Sequence, residues 1–242
     1  MTVTAERTTP TQPSPAGQQR WWRRPWVGPL GLAVTAFVLL FVPRYLSFDP
    51  AQSRVPSTFP LHYPFLVGHV LFGTVAMVTC CLQVWPRLRV AYPKVHRWSG
   101  RTYVAAALPA GVLALIVGAM TPFGPITAIG DVTQAVLWLG TTTAGFVYAR
   151  RRNFVQHRRW MIRSFAMTMS IIVNRVIGIV VGMVLTPQLN TTFHGDEFAL
   201  GQAIPAATMV LTVLFSIISA ELWLERDQRK LTRSRRGARA AR

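Results

Sequence analysis

Residues 149–185 read ARRRNFVQHRRWMIRSFAMTMSIIVNRVIGIVVGMVL, five arginines between positions 150 and 159 followed by an apolar run from Met161 to Leu185. As a helix rising 1.5 Å per residue, that run covers roughly 37 Å, more than the ~30 Å of hydrocarbon in a bilayer. Lipid cannot satisfy open backbone groups, so a lone crossing segment must be a helix. The run also lacks the apolar/polar alternation of a barrel strand. Working outward, comparable runs lie at about Trp26–Tyr45, Tyr63–Trp85, Thr102–Met120, Asp131–Tyr148 and Leu200–Leu224. The lysines and arginines between these runs alternate. Taken in chain order, the flanks and loops carry 4, 2, 5, 0, 5, 0 and 8 of them. Basic segments stay on the cytoplasmic side. The sequence therefore describes an all-α polytopic membrane protein with six transmembrane helices and N- and C-termini in the cytoplasm.

Composition agrees with this reading. Of the 242 residues, 51% are hydrophobic and 14% charged, against about a quarter charged in soluble domains. The formal charge of +18 gathers between apolar runs rather than on a polar helix face. That argues against nucleic acid and for a bilayer whose anionic headgroups attract near-surface bases at about 1 kcal/mol each. Residues 1–25 begin with Thr, Pro, Gln and Ser and are expected to form a disordered cytoplasmic tail. Residues 26–224 form the membrane domain, and residues 225–242 a basic cytoplasmic tail. The first run follows Arg20, Arg23 and Arg24 as in a signal peptide, but Pro43, Arg44 and Tyr45 give no small-residue cleavage site, so it is expected to remain as a span. Cys80 and Cys81 fall inside an apolar run and are expected to pack there. Trp85, Trp98 and Trp160 sit at cytoplasmic ends, where indoles anchor helices.

Polar groups inside a span are costly and mark candidate sites. His69 lies about 9 Å into the second span. Gln134 lies near the outer end of the fourth, and Asn174 and Arg175 near the middle of the fifth. These four are expected to form one polar cluster in the outer half, either a ligand site or a hydrogen-bond clasp between helices. Arg163 and Glu221 lie near the cytoplasmic ends of the fifth and sixth spans and are expected to pair. His96 and His157 enter the third and fifth spans from the cytoplasmic side, in His96-Arg97-Trp98-Ser99-Gly100-Arg101 and His157-Arg158-Arg159-Trp160. Two histidines at one depth on facing helices can clamp a haem iron axially. Gly100 would let a macrocycle approach, and the neighbouring arginines would pair with its propionates. The alternative is that both histidines bond to loop carbonyls or lipid phosphate. No haem-c motif, zinc motif or P-loop is present.

Tyr63-Pro64, His69, Gly73, Gln83-Val84-Trp85-Pro86, the two His-Arg blocks and Ala220-Glu221 together resemble the DUF2306 family of predicted bacterial membrane proteins, which has no assigned activity. The resemblance covers about Arg44 to Leu224 and implies a multi-pass protein of the bacterial inner membrane. The layout is also similar, in architecture alone, to ascorbate-type b cytochromes. Those use two histidine pairs, whereas the fourth span here has no histidine. The functional expectation is a b-type haem redox protein ligated by His96 and His157, with His69 and Arg175 lining an outer cofactor site. Non-redox ligand binding, transport or an assembly role are the alternatives.

Overall fold

The computed structural model describes residues 26–53 and 55–240. The expected tail at 1–25 lies outside them. The described residues form helices and loops with no strand. In chain order the helices are α1 (Val27–Phe41), α2 (Pro43–Leu46), α3 (His62–Val84), α4 (Pro86–Ala91), α5 (Pro93–Ala119), α6 (Pro125–Arg150), α7 (Phe154–Leu185) and α8 (Glu197–Ala240).

The helices start where local chemistry starts them, which is earlier than the apolar runs suggest. Pro93 and Pro125 open α5 and α6; a fixed φ and a missing N–H cost nothing in a first turn. The Asn153 side chain accepts from Gln156 N at 3.2 Å and caps α7. Asp196 accepts from Phe198 N and Ala199 N at 2.9 and 3.0 Å at the head of α8. The turn between α5 and α6 passes through Gly124 at φ +89°, a backbone state open to glycine at little cost. The basic segment after Leu224 continues α8 as helix to Ala240.

Four helices enclose the main core. α3 packs on α5, α5 on α6 and α6 on α7, and contacts between α3 and α7 close the ring. α8 lies against α6 and α7, and α1 against α3 and α7. The core holds Ala76, Met77 and Cys80 from α3, Tyr103, Ala106, Ala107 and Ala110 from α5, Trp138 from α6, and Met167 and Met169 from α7. Alanines at the α3–α5 contact let the backbones approach, as membrane helix interfaces require. Cys80 is buried in this core and unbridged, as expected of a packing residue.

His62–Val84, Pro93–Ala119, Phe154–Gln188 and Glu197–Arg229 are each long and apolar enough to cross a membrane. α1 is apolar but has 15 residues. α6 has 26 residues, but Asp131 and its threonines and glycines dilute its apolar character. The protein is thus an all-helical membrane protein with several candidate spans.

Candidate functional site

The arginine-rich end of the bundle carries both histidines of the expected pair. His157 Nδ1 lies 2.8 Å from the Gly145 carbonyl oxygen. A carbonyl only accepts, so Nδ1 donates this hydrogen bond, and Nε2 is the ring nitrogen left for another partner. The His96 Nδ1 is buried without a partner among the described residues, and the two rings lie within electrostatic range of each other. Their register follows from the contacts above them. Tyr103 and Ser164 each stand seven residues after His96 and His157, the same helix face about two turns on. The Tyr103 hydroxyl meets Ser164 Oγ at 2.5 Å, so α5 and α7 present these faces to one another.

Gly100 does not act as an approach surface. The Gln83 side chain occupies its open side, with Oε1 3.3 Å from where a Cβ would stand. Gln83 Nε2 donates to the His96 carbonyl at 2.8 Å and to Ser99 Oγ at 2.5 Å. The arginines divide into two sets. Arg158 pairs with Asp227 through both Nη atoms. Arg163 meets Glu221 at 2.6 and 3.0 Å, the expected pair between α7 and α8, and stacks 4.9 Å over Trp160. Arg89, Arg97 and Arg101 have no ion pair among the described residues. No group of three or more His, Cys, Asp or Glu that could hold a metal ion occurs among them either. Two imidazoles are too few donors to hold a bare ion and would suit a haem, which brings its own ligands to the iron.

Above the histidines runs a buried hydroxyl seam that the sequence reading missed. Tyr103, Ser164 and Thr142 are at most 1% exposed. Tyr103 Oη bonds Ser164 Oγ at 2.5 Å and Thr168 Oγ1 at 2.8 Å. Trp138 Nε1 donates to Thr168 Oγ1 at 2.9 Å and to Tyr103 Oη at 3.3 Å, and Thr142 Oγ1 meets Ser164 Oγ at 2.7 Å. Membrane interiors leave hydroxyls no other partner, so the seam clasps α5, α6 and α7. The repeated spacing from each His-Arg block to a polar residue two turns on was the available signal.

The outer candidates go to four different neighbours. His69 Nδ1 lies 2.9 Å from the Ala110 carbonyl and its ring meets Trp138 edge-on at 6.5 Å. Gln134 Nε2 donates to Met167 O and Ser170 Oγ on α7 at 3.2 and 2.7 Å. Asn174 Nδ2 donates to Thr212 Oγ1 on α8 at 3.2 Å. Arg175 is exposed and lies 5.3 Å over the Phe41 ring on α1. No hydrogen bond joins His69, Gln134 and Asn174 to one another. A groove lined by Val136, Gly140, Thr143 and Tyr148 runs along α6 and includes none of these residues.

This fold defines a helical, multi-pass membrane protein with a polar interior. A family model described as a predicted membrane protein, DUF2306, matches residues 66–224, about two thirds of the chain. The chain belongs to that family. No curated protein and no solved structure matches it.

Proposed function

We propose that the chain is a six-span protein of the bacterial inner membrane, both termini in the cytoplasm, that carries electrons through a b-type haem ligated by His96 and His157. The shared register of the two histidines, two turns below the Tyr103–Ser164 contact, carries the reading. Its support in sequence is the alternation of basic loops, which counts α1 and α6 as crossings beside the four longer apolar helices. The haem would supply one-electron chemistry. The chain's own part is to fix the His157 tautomer through the Gly145 carbonyl, to offer Arg97 and Arg101 to carboxylates, and to hold α5, α6 and α7 in register through the hydroxyl seam. Anionic headgroups would meet the same basic end.

A second reading, a non-redox binding or structural bundle, is favoured by the outer residues, because His69, Gln134 and Asn174 all bond within the protein. One experiment separates the two. Protein expressed with haem supplied is purified in detergent, and oxidised and dithionite-reduced visible spectra are recorded. The haem reading expects a Soret band that shifts on reduction with sharp α and β bands, abolished by His96→Ala and by His157→Ala. Colourless protein overturns it.

A further inference from the structure

The described acids have clear attachments, with one exception. Glu221, Asp227 and Glu225 pair with arginines. Asp196 caps α8, Glu197 stands in that helix's first turn, and Asp49 accepts from Ala51 N at 2.9 Å. Asp131 makes no hydrogen bond or ion pair among the described residues, and it is half-buried. Because α6 starts at Pro125, Asp131 stands about 9 Å into the helix rather than at its mouth. Gly118 makes room for it. A Cβ on Gly118 would lie 2.6 Å from Asp131 Cβ and 3.5 Å from its carboxyl carbon. The carboxyl therefore rests against the last turn of α5, which ends at Ala119. The final carbonyls of a helix lack intrahelical donors and form its negative pole.

One turn deeper on α6, Gln134 supplies a second observation. Its amide nitrogen is fully used on Met167 O and Ser170 Oγ, whereas its Oε1 is buried with no donor. Residues three apart on a helix are neighbours on its surface, with Cβ atoms about 5–6 Å apart. A carboxylate and an orphaned amide oxygen are both hard oxygen acceptors, and neither the Asp131 carboxyl nor Gln134 Oε1 has a hydrogen-bond donor among the described residues. Oxygen-only acceptor sets suit hard cations.

We propose that Asp131, at the α5–α6 contact opened by Gly118, and Gln134, one turn deeper on α6, form a binding site for a small monovalent cation, a proton or an alkali-metal ion, in the half of the bundle away from the His-Arg blocks. The site is independent of the haem reading. It is tested on the full chain in detergent with dicyclohexylcarbodiimide, which adds to protonated carboxyls shielded from water, followed by peptide mass spectrometry. The expected result is an adduct on Asp131 that is lost in Asp131→Asn and rises with acidity, up to about tenfold per pH unit. Protection by sodium or lithium, but not by choline, identifies an alkali ion; insensitivity to all three identifies the proton. Gly118→Ala keeps the carboxyl but displaces it, and is expected to change that protection or that pH dependence. An unmodified Asp131, or one modified at the same rate at every pH and in every salt, overturns the proposal. Asp131→Asn protein that keeps the wild-type elution profile shows that a lost adduct is not a lost fold.

Discussion

Ser164→Ala is expected to destabilise the bundle more than Tyr103→Phe, although the serine gives up fewer contacts. The argument rests on what each deletion strands. Removing the Tyr103 hydroxyl leaves each partner another bond: Ser164 keeps Thr142 at 2.7 Å, Thr168 keeps the Ser164 carbonyl at 2.8 Å, and Trp138 keeps Thr168 at 2.9 Å. Its cost is that of net hydrogen bonds with nothing orphaned, about 1 kcal/mol. Removing the Ser164 hydroxyl strands Thr142, which is 1% exposed and whose hydroxyl bonds only Ser164 among the described residues. A buried unsatisfied hydroxyl costs roughly 1–3 kcal/mol on top of the lost bond, so the total is about 2 kcal/mol or more. Thr142→Val in the Ser164→Ala background removes the stranded group and should restore part of the loss rather than add to it. Equilibrium unfolding in mixed micelles at increasing SDS reads all four proteins. If Tyr103→Phe costs as much as Ser164→Ala, or Thr142→Val deepens the Ser164→Ala defect, the reasoning from orphaned partners is wrong.

Three further outcomes are expected. Gly111→Ala drives a Cβ to 2.7 Å from Leu139 Cδ2, whereas Gly140 has nothing within 4 Å; the first should lose about 1–3 kcal/mol by overpacking, and the second should be neutral or stabilising by up to about 1 kcal/mol, measured in the same micelles. Glu221→Gln breaks an ion pair whose acid is 47% exposed, so its cost stays within about 1 kcal/mol, and the double reversal Arg163→Glu with Glu221→Arg should recover part of it in a double-mutant cycle. With Cys80 and Cys81 replaced by serine, a cysteine at Thr191 should react with an impermeant maleimide on intact cells, and one at Thr232 only after lysis; labelling of both before lysis contradicts cytoplasmic termini.

What could be read in the sequence follows from the range of the forces involved. Apolar length and alternating charge act along the chain, so the helices, and the Arg163–Glu221 pair at matched depth, followed from counting residues. The helices begin before the apolar runs because hydropathy marks where a helix meets lipid, while Pro125 and Asn153 mark where it begins. That offset concealed Asp131, which reads as the edge of an apolar run and stands about two turns inside α6.

The polar interior was harder, for a different reason. Serine and threonine hydroxyls can bond back to the preceding turn of their own helix, as Thr141 does to the Leu137 carbonyl at 2.7 Å. A hydroxyl residue in an apolar run therefore says nothing about whether it faces a neighbour. Thr142, one position on, bonds across to Ser164 on α7 instead. The distinction between the two lies in a rotation of about 100° around α6, which depends on how α5, α6 and α7 pack. His69, Gln134 and Asn174 were grouped by depth alone, and depth ignores this rotation. Placed by rotation as well, they divide among α5, α7 and α8. Gln134 comes to neighbour Asp131, whose notch at Gly118 involves a helix that the sequence reading never set beside it. His96 and His157 share a helix face with Tyr103 and Ser164, which touch two turns further along α5 and α7.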